Sequence, residues 1–203
     1  MSGRLGTGTA TARREIVRAC RRLHERGLIA GPDGNVSSRV GSDLVLVTPA
    51  GVSKVDVRAA DLVELRLDGR RVRASGSRRA PSTEVLVHLA AYRVRPDVRA
   101  VVHAHPPVAT GFALAGESLD DGALTELVYS VGSVPLVPYA KPGTRELAEA
   151  VSRFLQGHDA ALLENHGAVT VGPTLMVALQ RMESLEHAAR ILLAARLLKR
   201  RDP

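Results

Sequence analysis

The sharpest chemical feature of the chain is Val101-Val102-His103-Ala104-His105-Pro106. Residues two apart on a β-strand point to the same side. His103 and His105 therefore present two imidazoles together, a chelating pair for zinc or a similar divalent metal. The same pair also reads as two polar residues at a strand end. His166 lies in a tight turn, Asn165-His166-Gly167, between two apolar stretches at a sheet rim, where an ordinary turn histidine is the plainer reading. Glu84 follows Pro81-Ser82-Thr83 in the first turn of a predicted helix, where the helix dipole alone stabilises a carboxylate by about 0.3–1 kcal/mol. Taken together, three histidines and a carboxylate suit a catalytic zinc, which holds three protein ligands and one exchangeable position. Glu84 could occupy that position at rest and act as a base once displaced.

Three further segments can bind an anion: Gly34-Asn35-Val36-Ser37-Ser38-Arg39, Thr48-Pro49-Ala50-Gly51 and Ser82-Thr83. Glycine turns and helix starts expose unpaired N–H groups, and hydroxyls and amides add donors. Each segment is also an ordinary turn, and there is no Gly-x-x-x-x-Gly-Lys loop. The remaining histidines have plainer roles. His24 and His187 are expected on helix surfaces, and His158 exposed after Gly157. His88, one turn after Glu84, is expected to pack, with a place behind the ligands as the alternative. Cys20 is expected in an apolar helix face, and Met176 and Met182 in the core or at a helix interface.

The elements that must position these groups follow from periodicity and punctuation. Residues 1–10 read as a flexible lead, and residues 11–203 as a single domain. Thr11–Arg26 is predicted as an amphipathic helix, with Ile16, Val17, Ala19, Cys20 and Leu23 on one face and arginines on the other. Val36–Val40 and Leu44–Thr48 form a predicted hairpin, and Leu62–Leu67 with Arg71–Arg73 a second. Thr83–Arg93 is predicted helical with Ser82 as N-cap. Arg99–His105 is strand-like, and Pro106-Pro107 opens a short helix to Leu114. A strand at Val134–Pro138 precedes a helix at Thr144–Leu155. Strands at Ala160–Glu164 and Ala168–Val171 then lead to a long helix over Pro173–Arg200. Such a mixture predicts one α/β domain with a mixed, largely antiparallel sheet covered by helices.

Composition narrows the function classes. The 203 residues carry a formal net charge of +7, and only Lys54, Lys141 and Lys199 are lysines. Aromatics are 2% of the chain, too few to stack nucleic-acid bases, and no DNA-binding motif is present, so no nucleic-acid partner is expected. Arg13, Arg14, Arg18, Arg21, Arg22 and Arg26 read as a solvated face. No apolar run approaches the roughly 20 residues of a membrane helix, and no secretory pattern is seen. One cysteine excludes an intrachain disulfide framework. A cytoplasmic protein without a membrane partner is the expectation.

In order, Gly34-Asn35-Val36-Ser37, Thr48-Pro49-Ala50-Gly51, Pro81-Ser82-Thr83-Glu84, His103-Ala104-His105-Pro106 and Asn165-His166-Gly167 resemble the class II aldolase/adducin family, nearest its L-fuculose-1-phosphate aldolase branch. Pro138-Tyr139-Ala140 and Gly143-Thr144-Arg145-Glu146-Leu147 are also similar to that branch. The resemblance implies a three-layer α/β/α fold and a C4 homotetramer. It implies zinc, with manganese or cobalt accepted by the same donors, on His103, His105 and His166. It makes Glu84 the fourth ligand and base, and places substrate phosphate at Gly34, Asn35, Gly51, Ser82 and Thr83. Tyr129 matches the proton donor supplied by a neighbouring subunit. The implied reaction cleaves a ketose 1-phosphate, such as L-fuculose 1-phosphate, into dihydroxyacetone phosphate and an aldehyde. The alternatives on this scaffold are an L-ribulose-5-phosphate 4-epimerase-like enzyme, another epimerase, dehydratase or decarboxylase of a sugar derivative, and a non-enzymatic adducin-like module. Ala50 stands where the family commonly has Ser or Thr, which removes a phosphate donor worth about 1.5–3 kcal/mol.

Overall fold

The computed structural model describes residues 2–72, 76–119 and 124–199. Seven strands make one sheet: β1 (Asn35–Val40), β2 (Leu44–Val47), β3 (Val63–Arg66), β4 (Ala100–Ala104), β5 (Leu136–Val137), β6 (Ala160–Leu163) and β7 (Gly167–Gly172). Their order is β3-β2-β1-β4-β7-β6-β5. All pairs are antiparallel except β5 with β6. The helices are α1 (Ser2–Glu25), α2 (Val85–Val94), α3 (Pro107–Leu114), α4 (Thr125–Ser130), α5 (Arg145–Leu155) and α6 (Leu175–Lys199). They cover both faces, which gives the expected three-layer α/β/α arrangement around a mixed, mostly antiparallel sheet. No helix among the described residues is long and apolar enough to cross a membrane.

Strand alternation divides the core in two. Ala100, Val102 and Ala104 of β4 pack towards α1, α3, α4 and α6, together with Ile16, Cys20, Leu23, Leu179, Met182 and Leu185. Val101, and by the same alternation His103, face α2 and α5, where Leu89, Tyr92, Leu147 and Val151 lie. Each fully buried aliphatic side chain stabilises this arrangement by roughly 1.5–3 kcal/mol.

Several sequence expectations are corrected. The first helix starts at Ser2, not Thr11, so residues 2–10 of the expected lead are helical. Once the docked part of a helix exists, each further residue adds one hydrogen bond at little cost. The N-cap of α2 is Glu84, and the Ser82 Oγ accepts the Glu84 N–H at 3.3 Å. The second hairpin returns through a single bridge, Leu65 to Arg71, flanked by Arg66 N–H to Arg70 O at 2.8 Å. Arg73 and Arg200 lie outside the described residues. The six-residue α4 is too short to show a period, and no such helix is expected from the sequence. Met176 is exposed, whereas Met182 is buried as expected. His158 is half-buried and donates from Nδ1 to Phe154 O at 2.8 Å. The α1 arginines are not all solvated: Arg13 pairs with Glu64 at 2.5 Å and Arg22 with Glu183 at 2.6 Å.

Candidate metal centre

Sheet register brings the chemistry to one end of the sheet. Asn35 at the start of β1 stands opposite His103 at the end of β4, and His103 stands opposite Val169 of β7. The β6–β7 turn delivers His166, with Asn165 in a left-handed conformation at φ 56°. Two glycines permit this crowding. At Gly34, φ is 69° and a Cβ would lie 2.7 Å from His103 O; at Gly167 a Cβ would meet Ala104 O at 2.6 Å. Any side chain at either position would push the histidine strands apart. Beyond His105, the N-terminus of α3 is fixed by buried Glu186 of α6, which accepts the Val108 N–H at 3.1 Å and the Ala109 N–H at 3.0 Å.

One ligand atom from each of His103, His105 and His166 lies within 4.8 Å of the others. His103 donates from Nδ1 to Ala168 O at 2.9 Å, so its Nε2 lone pair faces the cluster. That Nε2 stands 3.2 Å from His105 Nε2 and 3.2 Å from Glu84 Oε2. Glu84 Oε1 stands 3.1 Å from His166 Nε2. Because the His103 Nδ1 proton goes to Ala168 O, a neutral His103 sets its Nε2 lone pair against Glu84 Oε2, a contact that calls for a proton or a cation. These three contacts lie near the edge of about 3.3 Å that tetrahedral bonds of about 2.05 Å produce, while the histidine ligand atoms as a set spread to 4.8 Å. His166 Nδ1 is buried without a hydrogen-bond partner among the described residues. The donor set, its spacing and its facing lone pairs fit a divalent metal ion.

Electrostatics agree. Burial pushes the Glu84 carboxyl up, but positive charge on the adjoining His103 and His166 rings outweighs it and holds the group well below the ordinary carboxylate range. Burial, then the neighbouring His103 and His166 charges, pushes His105 down to about 4. An ionised Glu84 and a neutral His105 are the forms that bind metals.

The family model described as "Class II Aldolase and Adducin N-terminal domain" matches residues 14–193. The chain belongs to that family. It is similar to the 3-oxo-tetronate 4-phosphate decarboxylase of Escherichia coli O6:H1, at 35% identity over 185 residues, covering 89% of this chain and 85% of the relative. It is equally similar to the L-fuculose phosphate aldolase of Escherichia coli K12, at 35% identity over 182 residues, covering 89% and 81%. Among solved structures, the L-fuculose-1-phosphate aldolase of Thermus thermophilus superposes with a TM-score of 0.84 at 33% identity, covering 96% and 98%.

In this class II aldolase-family chain, the expected phosphate residues come together in part. The 48–51 and 80–83 segments lie side by side, with Ser82 N–H to Thr48 O at 3.1 Å and Ala50 N–H to Ala80 O at 3.0 Å. Gly51 and Thr83 are exposed, whereas Ser82 and Gly34 are buried. Asn35 is also buried, and its amide is engaged with Glu84 Oε2 at 3.1 Å and with His88. Tyr129, on α4, is 88% exposed and makes none of the cluster's contacts. Two features escaped the sequence reading. Asp33 Oδ2 lies 3.8 Å from His105 Nδ1. Behind Asn35, Ser37 and Tyr92 form a buried polar stack with His88, which takes the place behind the ligands that was its alternative reading rather than simply packing. Ser37 and Tyr92 are readable there only by pairing Asn-x-Ser on a strand with Glu-x-x-x-His-x-x-x-Tyr on a helix.

Proposed function

We propose that the chain is a divalent-metal lyase that breaks a carbon–carbon bond next to the carbonyl of a phosphorylated sugar derivative. The observation that supports it most is the convergence of His103, His105, His166 and Glu84 in one partly buried cluster. Zinc is the proposed metal, with manganese or cobalt able to use the same donors. Bound there, the ion supplies Lewis acidity that favours negative charge on nearby oxygens. Glu84, displaced by substrate, carries the proton at the carbon that gains the electron pair. Gly34, Asn35, Gly51, Ser82 and Thr83 are proposed to take the substrate phosphate. Tyr129, exposed on α4, is proposed to reach a neighbouring site in a homotetramer and exchange a proton with the aldehyde oxygen. The proposed compartment is the cytoplasm.

Two substrates fit this chemistry. A ketose 1-phosphate such as L-fuculose 1-phosphate would be cleaved to dihydroxyacetone phosphate and an aldehyde. A 3-oxo-tetronate 4-phosphate would lose carbon dioxide from carbon 2, leaving the electron pair beside the carbonyl at carbon 3. Protonation there also gives dihydroxyacetone phosphate. The decarboxylase relatives at 35% identity favour this second reading as strongly as the aldolase relatives favour the first. The test is to offer both substrates to the zinc-loaded protein and to measure dihydroxyacetone phosphate with either aldehyde or carbon dioxide. Release from one substrate identifies the reaction; release from neither overturns the proposal.

A further inference from the structure

Behind Glu84, one face of α2 and one face of β1 interleave. Glu84, His88 and Tyr92 recur at four-residue intervals along the helix, and Asn35 and Ser37 alternate along the strand. Asn35, Ser37, His88 and Tyr92 are each at most 3% exposed. The Asn35 Nδ2 donates to Glu84 Oε2 at 3.1 Å, and the Asn35 Oδ1 contacts His88 Nε2. His88 Nδ1 lies 2.7 Å from Ser37 Oγ, which lies 2.7 Å from the Tyr92 hydroxyl.

The direction of every bond follows by elimination. Ionised Glu84 can only accept, so Asn35 must present its amide nitrogen to it and its oxygen to His88. His88 must then carry its proton on Nε2, leaving Nδ1 to accept from the Ser37 hydroxyl. The Ser37 oxygen in turn accepts from the Tyr92 hydroxyl. Reversing the Asn35 amide would set its oxygen against the Glu84 carboxylate and its nitrogen against the His88 N–H, so the relay has a single low-energy orientation.

We infer that His88 is a positioning residue. It locks the Asn35 amide, and through it the Glu84 carboxylate, in the orientation that proton transfer needs. The inference rests on the lyase reading for its effect on turnover, but not for its geometry.

Two measurements test it. In the zinc-loaded protein, His88→Leu removes the donor, and His88→Gln restores an N–H of similar reach. The leucine variant should keep one metal per chain and lose about 10- to 100-fold in kcat, the range for partners behind a metal site. KM should change far less, and the glutamine variant should recover most of the loss. Unchanged kcat in a folded, metal-loaded leucine variant would overturn the inference, as would a glutamine variant no better than leucine. Independently, nitrogen-15 histidine NMR should show His88 as the neutral tautomer protonated on Nε2. A proton on Nδ1 would overturn the relay. If the wild type turned over no substrate, the lyase reading would fail while the NMR spectrum still decided the relay.

Discussion

On the α1/α6 side of the sheet, Ile16, Leu23, Val36, Val102, Leu179 and Met182 fill volume without directional demands, and the buried hydrogen bonds of Glu186 and Thr170 hold α3 and α6 rather than the metal cluster. On the α2 side of the same strands, Asn35 and Ser37 meet His88 and Tyr92 through hydrogen bonds whose donors and acceptors are fixed one by one. A volume-filled face tolerates exchange of one aliphatic for another at modest cost. A hydrogen-bonded face holds particular atoms in particular orientations, which is what a carboxylate base beside a metal requires.

That contrast can be broken in graded steps. Glu84→Gln should remove the base while leaving its shape, lowering kcat by roughly 10²- to 10⁴-fold. Metal content and substrate affinity should persist, and retained turnover would remove Glu84 from its role. Met182→Ala, on the apolar face, should cost about 2–5 kcal/mol in urea unfolding. Turnover per folded, metal-loaded molecule should not change; a large fall in kcat would show that the two faces are not separable.

A smaller effect concerns pH. Burial, with a lesser contribution from the charge of His103, pushes His88 down to about 3 from its ordinary 6.5. Between these values the unfolded chain binds a proton that the native chain refuses, so stability is full above about 6.5 and declines as pH falls towards 3. Urea unfolding at stepped pH should show this slope, and His88→Gln should flatten it. Arg13→Ala should cost about 1.5–3 kcal/mol and leave turnover untouched, because it strips a charged partner from the largely buried Glu64 carboxylate and from the Ala59 carbonyl, neither of which contacts the cluster.

Much of the sheet was legible because its apolar strands are punctuated. The β4, β6 and β7 segments end at Pro106, Asn165 and the 172–174 turn, and the ligand residues sit at the first two of these ends, where the His103/His105 spacing suggests chelation. Of the polar stack, only His88 was legible, from its place one turn after Glu84. Asn35-Val36-Ser37-Ser38 reads as a weak, half-polar strand, and its burial depends on His88 and Tyr92, which arrive from a helix roughly 50 residues later. Helix α4 and the starts of α1 and α2 were misjudged for a related reason. Tertiary docking, not local propensity, decides where short or frayed helices begin.

The most direct measurement is metal stoichiometry, taken on wild type, His103→Ala and His166→Ala after loading with zinc and removal of free ion. One tightly held ion per wild-type chain, and loss of that ion in both folded variants, is the expected result. A wild-type chain that holds no divalent ion, or variants that hold it as tightly as the wild type, would contradict the assignment of this cluster as the metal centre.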